Sequence, residues 1–339
     1  MSIIGHERII SFFDKVISKE ALSQSYCFVG SDGVGKKTVA RHLAAKILKM
    51  PILPPQNRAS PDLRQSRILD RDGRDSISTD VEIGINEKQL DTHPDFYYVC
   101  RQIDEKTEKV KKDIGIAQIR QIKEKLRNKS WFGGYQVIII DEAELLNEES
   151  ANALLKSLEE AGEKRVFFLL TSDDSELLPT IRSRCQMFYF SSVDIKVIED
   201  GLIKLGYDGA LAAESAKLSW NRPGRAVTLA SDEDLRKIFN NEIDRWQKIA
   251  GQPFYKKIKA VEDLLDDKKD SIRVSEKLNQ TIETWIVLWR EQILEQIKNN
   301  NPALLATAGL VDSFKKAQIL LAQNINPRFV VEQILLSVC

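Results

Sequence analysis

Residues 27–40 read "CFVGSDGVGKKTVA". Gly30, Gly33, Gly35 and Lys36 follow the pattern GxxxxGK[ST] up to its last position, where Lys37 stands in place of a hydroxyl. An apolar run precedes the glycines and a helical pattern follows them. In that strand, turn and helix context, backbone N–H groups converge on a phosphate, the helix adds its positive end, and the lysine reaches the outer phosphates. The missing hydroxyl is the group that ligates magnesium. An ammonium has only donors, and Thr38, one residue later, lies about 100° further round the helix. Two readings stay open: a loop that binds nucleotide without magnesium-assisted turnover, or a glycine turn kept for packing.

Outward from this loop, short apolar runs alternate with helical patterns. Strands are expected at "SYCFVG" (25–30), "DFYYVC" (95–100), "YQVIIID" (135–141), "RVFFLLTS" (165–172) and "QMFYF" (186–190), with helices over 36–48, 116–127 and 148–160 between them. The expected fold is an α/β phosphate-loop core, a parallel sheet with flanking helices. After residue 190 the strands stop. Residues 193–235 read as a small helical unit and the remainder as helical to its end, with Asn326 as an N-cap and Pro327 at the first helical position.

At 339 residues the chain exceeds one ordinary core, so two or three domains are expected. Fifty basic and fifty acidic side chains cancel, which gives no global sign of a nucleic-acid or membrane partner. No apolar run reaches the length of a membrane span and the start lacks a secretory pattern, so the expected location is the cytoplasm. Cys27, Cys100, Cys185 and Cys339 form no CxxC pair, and His6, His42 and His93 are far apart, so no metal site is expected from them. The segment 50–80, rich in Pro, Ser, Asp and Arg, reads as an exposed insertion, and the mixed charges of 101–113 as a solvated hairpin or loop.

Further chemistry gathers at strand ends. "VIIIDEAELL" (137–146) closes an apolar strand with Asp141 and Glu142, the position where phosphate-loop ATPases hold magnesium and orient water; acidic residues opening the next helix are the simpler alternative. Thr171 ends another strand. In "LLPTIRSRCQ" (177–186), Arg184 leads into the last strand, where a guanidinium at a protomer's edge is suited to stabilise phosphate charge in a neighbour's site. "RPGRAV" (222–227) sets Arg225 at a helix start.

Taken in order, "IIGHERII", "GVGKKTVA", "HPDFYYV", "IGIAQIRQIKEKL", "VIIIDEAELLNEESANALLKSLEE", "LLPTIRSRCQ", "RPGRAV" and "NINPRFVVEQILLSV" resemble the AAA+ clamp-loader family over essentially the whole chain except 50–80. The resemblance implies an ATPase-like core (1–191), a helical lid (192–236) and an all-α collar (237–339) that joins subunits into a pentamer. It places Lys36, Asp141 with Glu142, Thr171 and Arg225 at the phosphate-loop, Walker B, sensor 1 and sensor 2 positions. It implies a largely non-motor subunit of the DNA polymerase III holoenzyme, with weak or no ATPase of its own and no polymerase site, that lends Arg184 in trans to a gamma or tau neighbour. Further implied partners are the delta subunit and, through the complex, the sliding clamp and primed DNA. ATP binding stays open and no zinc is expected, since 50–80 lacks the cysteines of the family's zinc module. The alternatives are an active gamma- or tau-type ATPase, or another AAA+ replication ATPase.

Overall fold

The computed structural model describes residues 3–50, 87–103, 110–159, 164–249, 252–262, 308–322 and 325–337, with single positions between 278 and 289. Residues 51–80 of the expected insertion and most of "ETWIVLWREQILEQI" (283–297) lie outside the described residues. The chain divides into two compact units, Met1–Ser231 and Asp232–Cys339.

The first unit is built on five parallel strands: β1 (Ser25–Val29), β2 (Phe96–Val99), β3 (Gln136–Ile140), β4 (Arg165–Thr171) and β5 (Gln186–Tyr189), in the order β2-β3-β4-β1-β5. Parallel strands need crossovers, and after α1 (Glu7–Ser18), which precedes β1, helices lie between the strands: α2 (Lys36–Ile47), α3 (Glu87–Asp91), α4 (Ile116–Leu126), α5 (Glu148–Glu159) and α6 (Pro179–Arg182). Because helices cover both faces, the central strands β1, β3 and β4 carry unbroken apolar runs rather than an alternating pattern. The two-residue period still sorts them. Tyr26, Phe28, Val137, Ile139, Val166, Phe168 and Leu170 pack on one face with Phe13 and the apolar stripe of α2. Cys27, Val29, Ile138, Ile140, Phe167 and Leu169 pack on the other with Ile119, Leu126, Ala151 and Leu154 from α4 and α5.

The expected strands and helices of this unit are found within a residue or two of their expected ends. Order in the sheet is what the sequence leaves out: β2, an apolar run like the others, is an edge strand. The mixed-charge segment 101–113 closes in an antiparallel bridge between Ile103 and Val110, the hairpin geometry expected of it, with 104–109 outside the described residues. Burial pushes the Cys27 thiol up to about 12 and that of Cys185 up to about 11, so both read as unreactive core thiols.

Within the same unit, α7 (Ile195–Lys204), α8 (Gly209–Leu218) and α9 (Pro223–Ser231) enclose a separate small core of Ile198, Leu202, Ala212, Ala216, Ala226 and Val227, joined by Ile4 and Val193. Asp194 and Asp208 cap α7 and α8 by accepting from the Lys196 and Ala210 amides at 2.8 and 3.0 Å.

The second unit is helical where described: α10 (Glu233–Ile249), α11 (Phe254–Val261) and the helices Ala308–Ala322 and Pro327–Ser337. Trp246, Trp285 and Phe314 form its aromatic centre, with ring centroids 5.8 and 6.2 Å from Trp246. The last helix starts as its sequence dictates: Pro327 opens it and the Asn326 side chain accepts from the Arg328 amide at 3.0 Å. Among the described residues no helix is long and apolar enough to cross a membrane.

Candidate functional site

Sequence-distant groups meet at the C-terminal ends of β1, β3 and β4. The glycine loop leaves β1, with Gly33 and Gly35 at φ +74° and +110°, values that exact a strain from any side chain. Gly30 is required for space, since a Cβ there would lie 2.7 Å from the Phe190 carbonyl oxygen. His6 ties the loop down through Nε2 at 2.9 Å from the Val34 carbonyl; burial lowers the pKa of this imidazole, favouring the neutral form, in which Nε2 donates.

Lys36 does not point outward. It is buried, donates to the Gly30 carbonyl, and lies 3.5 Å from the Asp32 carboxylate. The outer side of the loop is met by the start of α9: the amides of Gly224 and Arg225 stand 2.8 and 3.3 Å from the Gly33 carbonyl. The Arg225 guanidinium stacks 3.4 Å from the centre of the Trp220 ring. Lys37 leans the other way, over the Tyr98 ring at 5.2 Å. Thr38 is half-buried behind it.

The carboxylates are engaged as well. Asp141 accepts from the Tyr98 hydroxyl at 2.5 Å. Burial raises its pKa, opposed by that hydrogen bond and by the charge of Lys37. Glu142, at φ +53°, receives both Nε and Nη2 of Arg101 at 2.7 Å, a bidentate clamp. Thr171 is buried and its hydroxyl is spent on Asp173, donating to the carbonyl at 2.8 Å and accepting from the amide at 3.3 Å. Nearby, Ser172 gives its amide and hydroxyl to Glu144 at 2.9 and 2.6 Å.

Magnesium demands near-octahedral oxygen ligands. Here position 37 offers no oxygen and Asp141 already holds a phenol, so the residues present do not fit that ion in this arrangement. Among the described residues no group of three or more His, Cys, Asp and Glu side chains is placed to hold a metal.

Arg184 is the expected site residue that does not join this cluster. It precedes β5, and its carbonyl accepts from the Ser25 hydroxyl at 2.6 Å, beside the start of β1. The glycine loop lies at the other end of β1, about 16 Å away for a five-residue strand. The guanidinium is two-fifths exposed, paired with Glu159 at 2.5 Å and donating to the Thr180 carbonyl at 3.1 Å. Tyr98, Arg101 and Trp220 are the partners that sequence reasoning missed. Tyr98 lies in the quoted stretch "HPDFYYV", which gave it no role, and Arg101, two residues past the end of β2, lies in no quoted motif; their role appears only when the register Tyr98↔Ile139 sets them beside Asp141 and Glu142.

A parallel five-stranded sheet with a glycine loop after its first strand, an Asp-Glu pair after the third and a helical unit capping the loop defines an AAA+-type core, here followed by an all-helical C-terminal unit. Residues 83–194 match the family described as DNA polymerase III, delta subunit. The chain is 36% identical to the DNA polymerase III subunit delta' of Escherichia coli K12 over 149 residues, 43% of this chain and 42% of that one. It is 28% identical to the subunit delta' of Bacillus subtilis 168 over 230 residues (67% and 60%), and 26% identical to the subunit tau of the same organism over 216 residues (64% and 33%). Over part of its length the chain is thus similar to DNA polymerase III delta-prime subunits, and residues 83–194 carry the match to the delta-subunit family. It spans less than half the length of the Escherichia coli relative.

Proposed function

We propose that this chain is a delta-prime-type subunit of a bacterial DNA polymerase III clamp loader: a largely non-motor, cytoplasmic stator that lends Arg184 to the ATP site of an adjacent gamma or tau subunit. Its partners on this reading are gamma or tau and delta, and, through the complex, the sliding clamp and primed DNA. The three-part division into core (1–191), lid (192–236) and collar (237–339) belongs to the same reading.

The observation that carries it is the opposite fate of two sites. Groups that would serve a nucleotide in this chain are engaged by other groups of the same chain: Lys36 by Gly30, Asp141 by Tyr98, Glu142 by Arg101 and the Thr171 hydroxyl by Asp173. Arg184 is instead far from its own glycine loop and partly exposed, held by a surface pair with Glu159. Such pairs contribute about 0–1 kcal/mol, so a neighbour's phosphate, a stronger and bidentate acceptor, competes readily for it.

Steady-state ATP hydrolysis by the isolated chain tests the non-motor half of the reading. Turnover indistinguishable from background in the presence of magnesium is expected. Turnover at rates of ordinary AAA+ motors would move the assignment to an active gamma- or tau-type subunit.

A further inference from the structure

A groove with no role in the readings above runs along the outer edge of β2. It consists of two adjoining cavities, of about 440 and 290 Å³, that share Asp91, Phe96, Tyr97 and Lys125. Among the described residues, Lys37, Arg41, Lys125 and Lys129 line it with one carboxylate, Asp91, which Arg41 engages at 2.9 Å. In a chain with equal numbers of acidic and basic side chains, the described lining thus carries an excess of positive charge. The side-chain amides of Gln118, Gln121 and Asn128 stand among the cations.

At its far end the groove is lined by Trp131, 76% exposed, and Phe132, the next residue, is 75% exposed. These rings are not on a loose turn. The buried Asp95 carboxylate accepts from the Ser130 hydroxyl at 2.9 Å and from the Trp131 amide at 3.0 Å, and the Ser130 hydroxyl accepts from the Gly134 amide at 3.1 Å. Lys164 donates to the Gly133 carbonyl at 2.9 Å, and the Phe132 ring lies against His93 with centroids 5.4 Å apart. A turn pinned at four points that leaves two large rings in water presents them to something flat.

We propose that this groove binds single-stranded nucleic acid. The lysines track the phosphates, Trp131 and Phe132 stack on bases, and the amides meet base edges, the combination by which sequence-tolerant single-strand sites work. An acidic peptide would satisfy the lysines but leaves the pinned, solvent-facing ring pair without a counterpart. The groove is a surface that the arginine-donating role does not use. It is tested on the isolated chain, so its failure leaves that role untouched.

The test is fluorescence anisotropy with a labelled 20-nucleotide single strand at low salt, followed by salt titration. Binding with a log–log salt slope of about −2 to −3 is expected for three or four phosphate contacts, with quenching of Trp131 emission that is absent in Trp131→Ala. Lys125→Glu with Lys129→Glu is expected to weaken binding at least tenfold and flatten the slope, and Trp131→Ala to weaken it about fivefold or more at unchanged slope. All three side chains are exposed, so circular dichroism and thermal melts should match the parent and separate lost binding from lost folding. No binding by the parent chain, or unchanged affinity in both variants, overturns the proposal. So does tighter binding of a polyglutamate peptide than of the oligonucleotide at the same groove, which would make it a protein-docking site.

Discussion

Tyr98 is the residue that changes most in meaning between sequence and structure. The sequence places Lys37 where a magnesium-ligating hydroxyl would stand, and in the structure the Tyr98 hydroxyl donates to Asp141 while Arg101 clamps Glu142. Restoring the hydroxyl alone should therefore not restore chemistry. Lys37→Thr is expected to remain without magnesium-dependent ATP turnover, and Lys37→Thr combined with Tyr98→Phe to gain measurable magnesium-dependent nucleotide binding in titration calorimetry. Turnover by the single variant would show that Tyr98 yields freely. The glycine loop, Asp141, Glu142, Thr171 and Arg225 were legible as a set because each sits at a strand or helix end with a motif around it. Their partners were not, because hydrogen bonds across strands depend on register, and register is not written in a local pattern.

Among elements, α1, α2 and α9 decide whether the loop keeps its shape. Phe13 of α1 is fully buried and touches the rings of Tyr26, Phe28, Phe168 and Phe188, at centroid distances of 4.8 to 5.8 Å. Phe13→Ala is expected to cost about 3–5 kcal/mol in urea unfolding of the first cooperative transition. At the start of α9 two effects oppose each other. Gly224→Ala gains roughly 1 kcal/mol of helix propensity, but its Cβ would stand 2.9 Å from the Gly33 carbonyl oxygen. Overpacking against a backbone atom costs about 1–3 kcal/mol, so the variant should be less stable, or should release α9 from the loop, seen as faster amide exchange at Gly224 and Arg225.

His42 of α2 carries a pH dependence. It is buried, and burial lowers its pKa from the ordinary 6.5 to about 4. The unfolded chain therefore takes up a proton that the folded chain refuses between those values. Stability from this group is complete above pH 6.5 and falls as the pH drops toward 4. The melting temperature of His42→Gln should accordingly fall less between pH 7 and pH 4.5 than that of the parent. The strands around these helices were readable because burial on both faces demands unbroken apolar runs. That β2 lies at the edge was not, since Phe96–Val99 is a short run of large side chains that fits a central strand as well as an edge; the cations gathered along it become visible only once it is placed there.

At the scale of the whole molecule, the chain separates a phosphate loop closed by internal bonds from an arginine displayed at the opposite end of the same sheet. On the proposed reading its contribution to catalysis is made in another subunit. The Glu159 pair should matter little: Glu159→Ala is expected to change stability by less than about 1 kcal/mol and to leave assembly intact. The direct measurement is the DNA- and clamp-stimulated ATPase of the reconstituted clamp loader carrying Arg184→Ala, alongside gel filtration to verify assembly. A guanidinium at a developing phosphate charge is worth several orders of magnitude at the site it serves, so a fall of about tenfold or more in an intact complex is predicted, and unchanged activity in an intact complex would contradict the account.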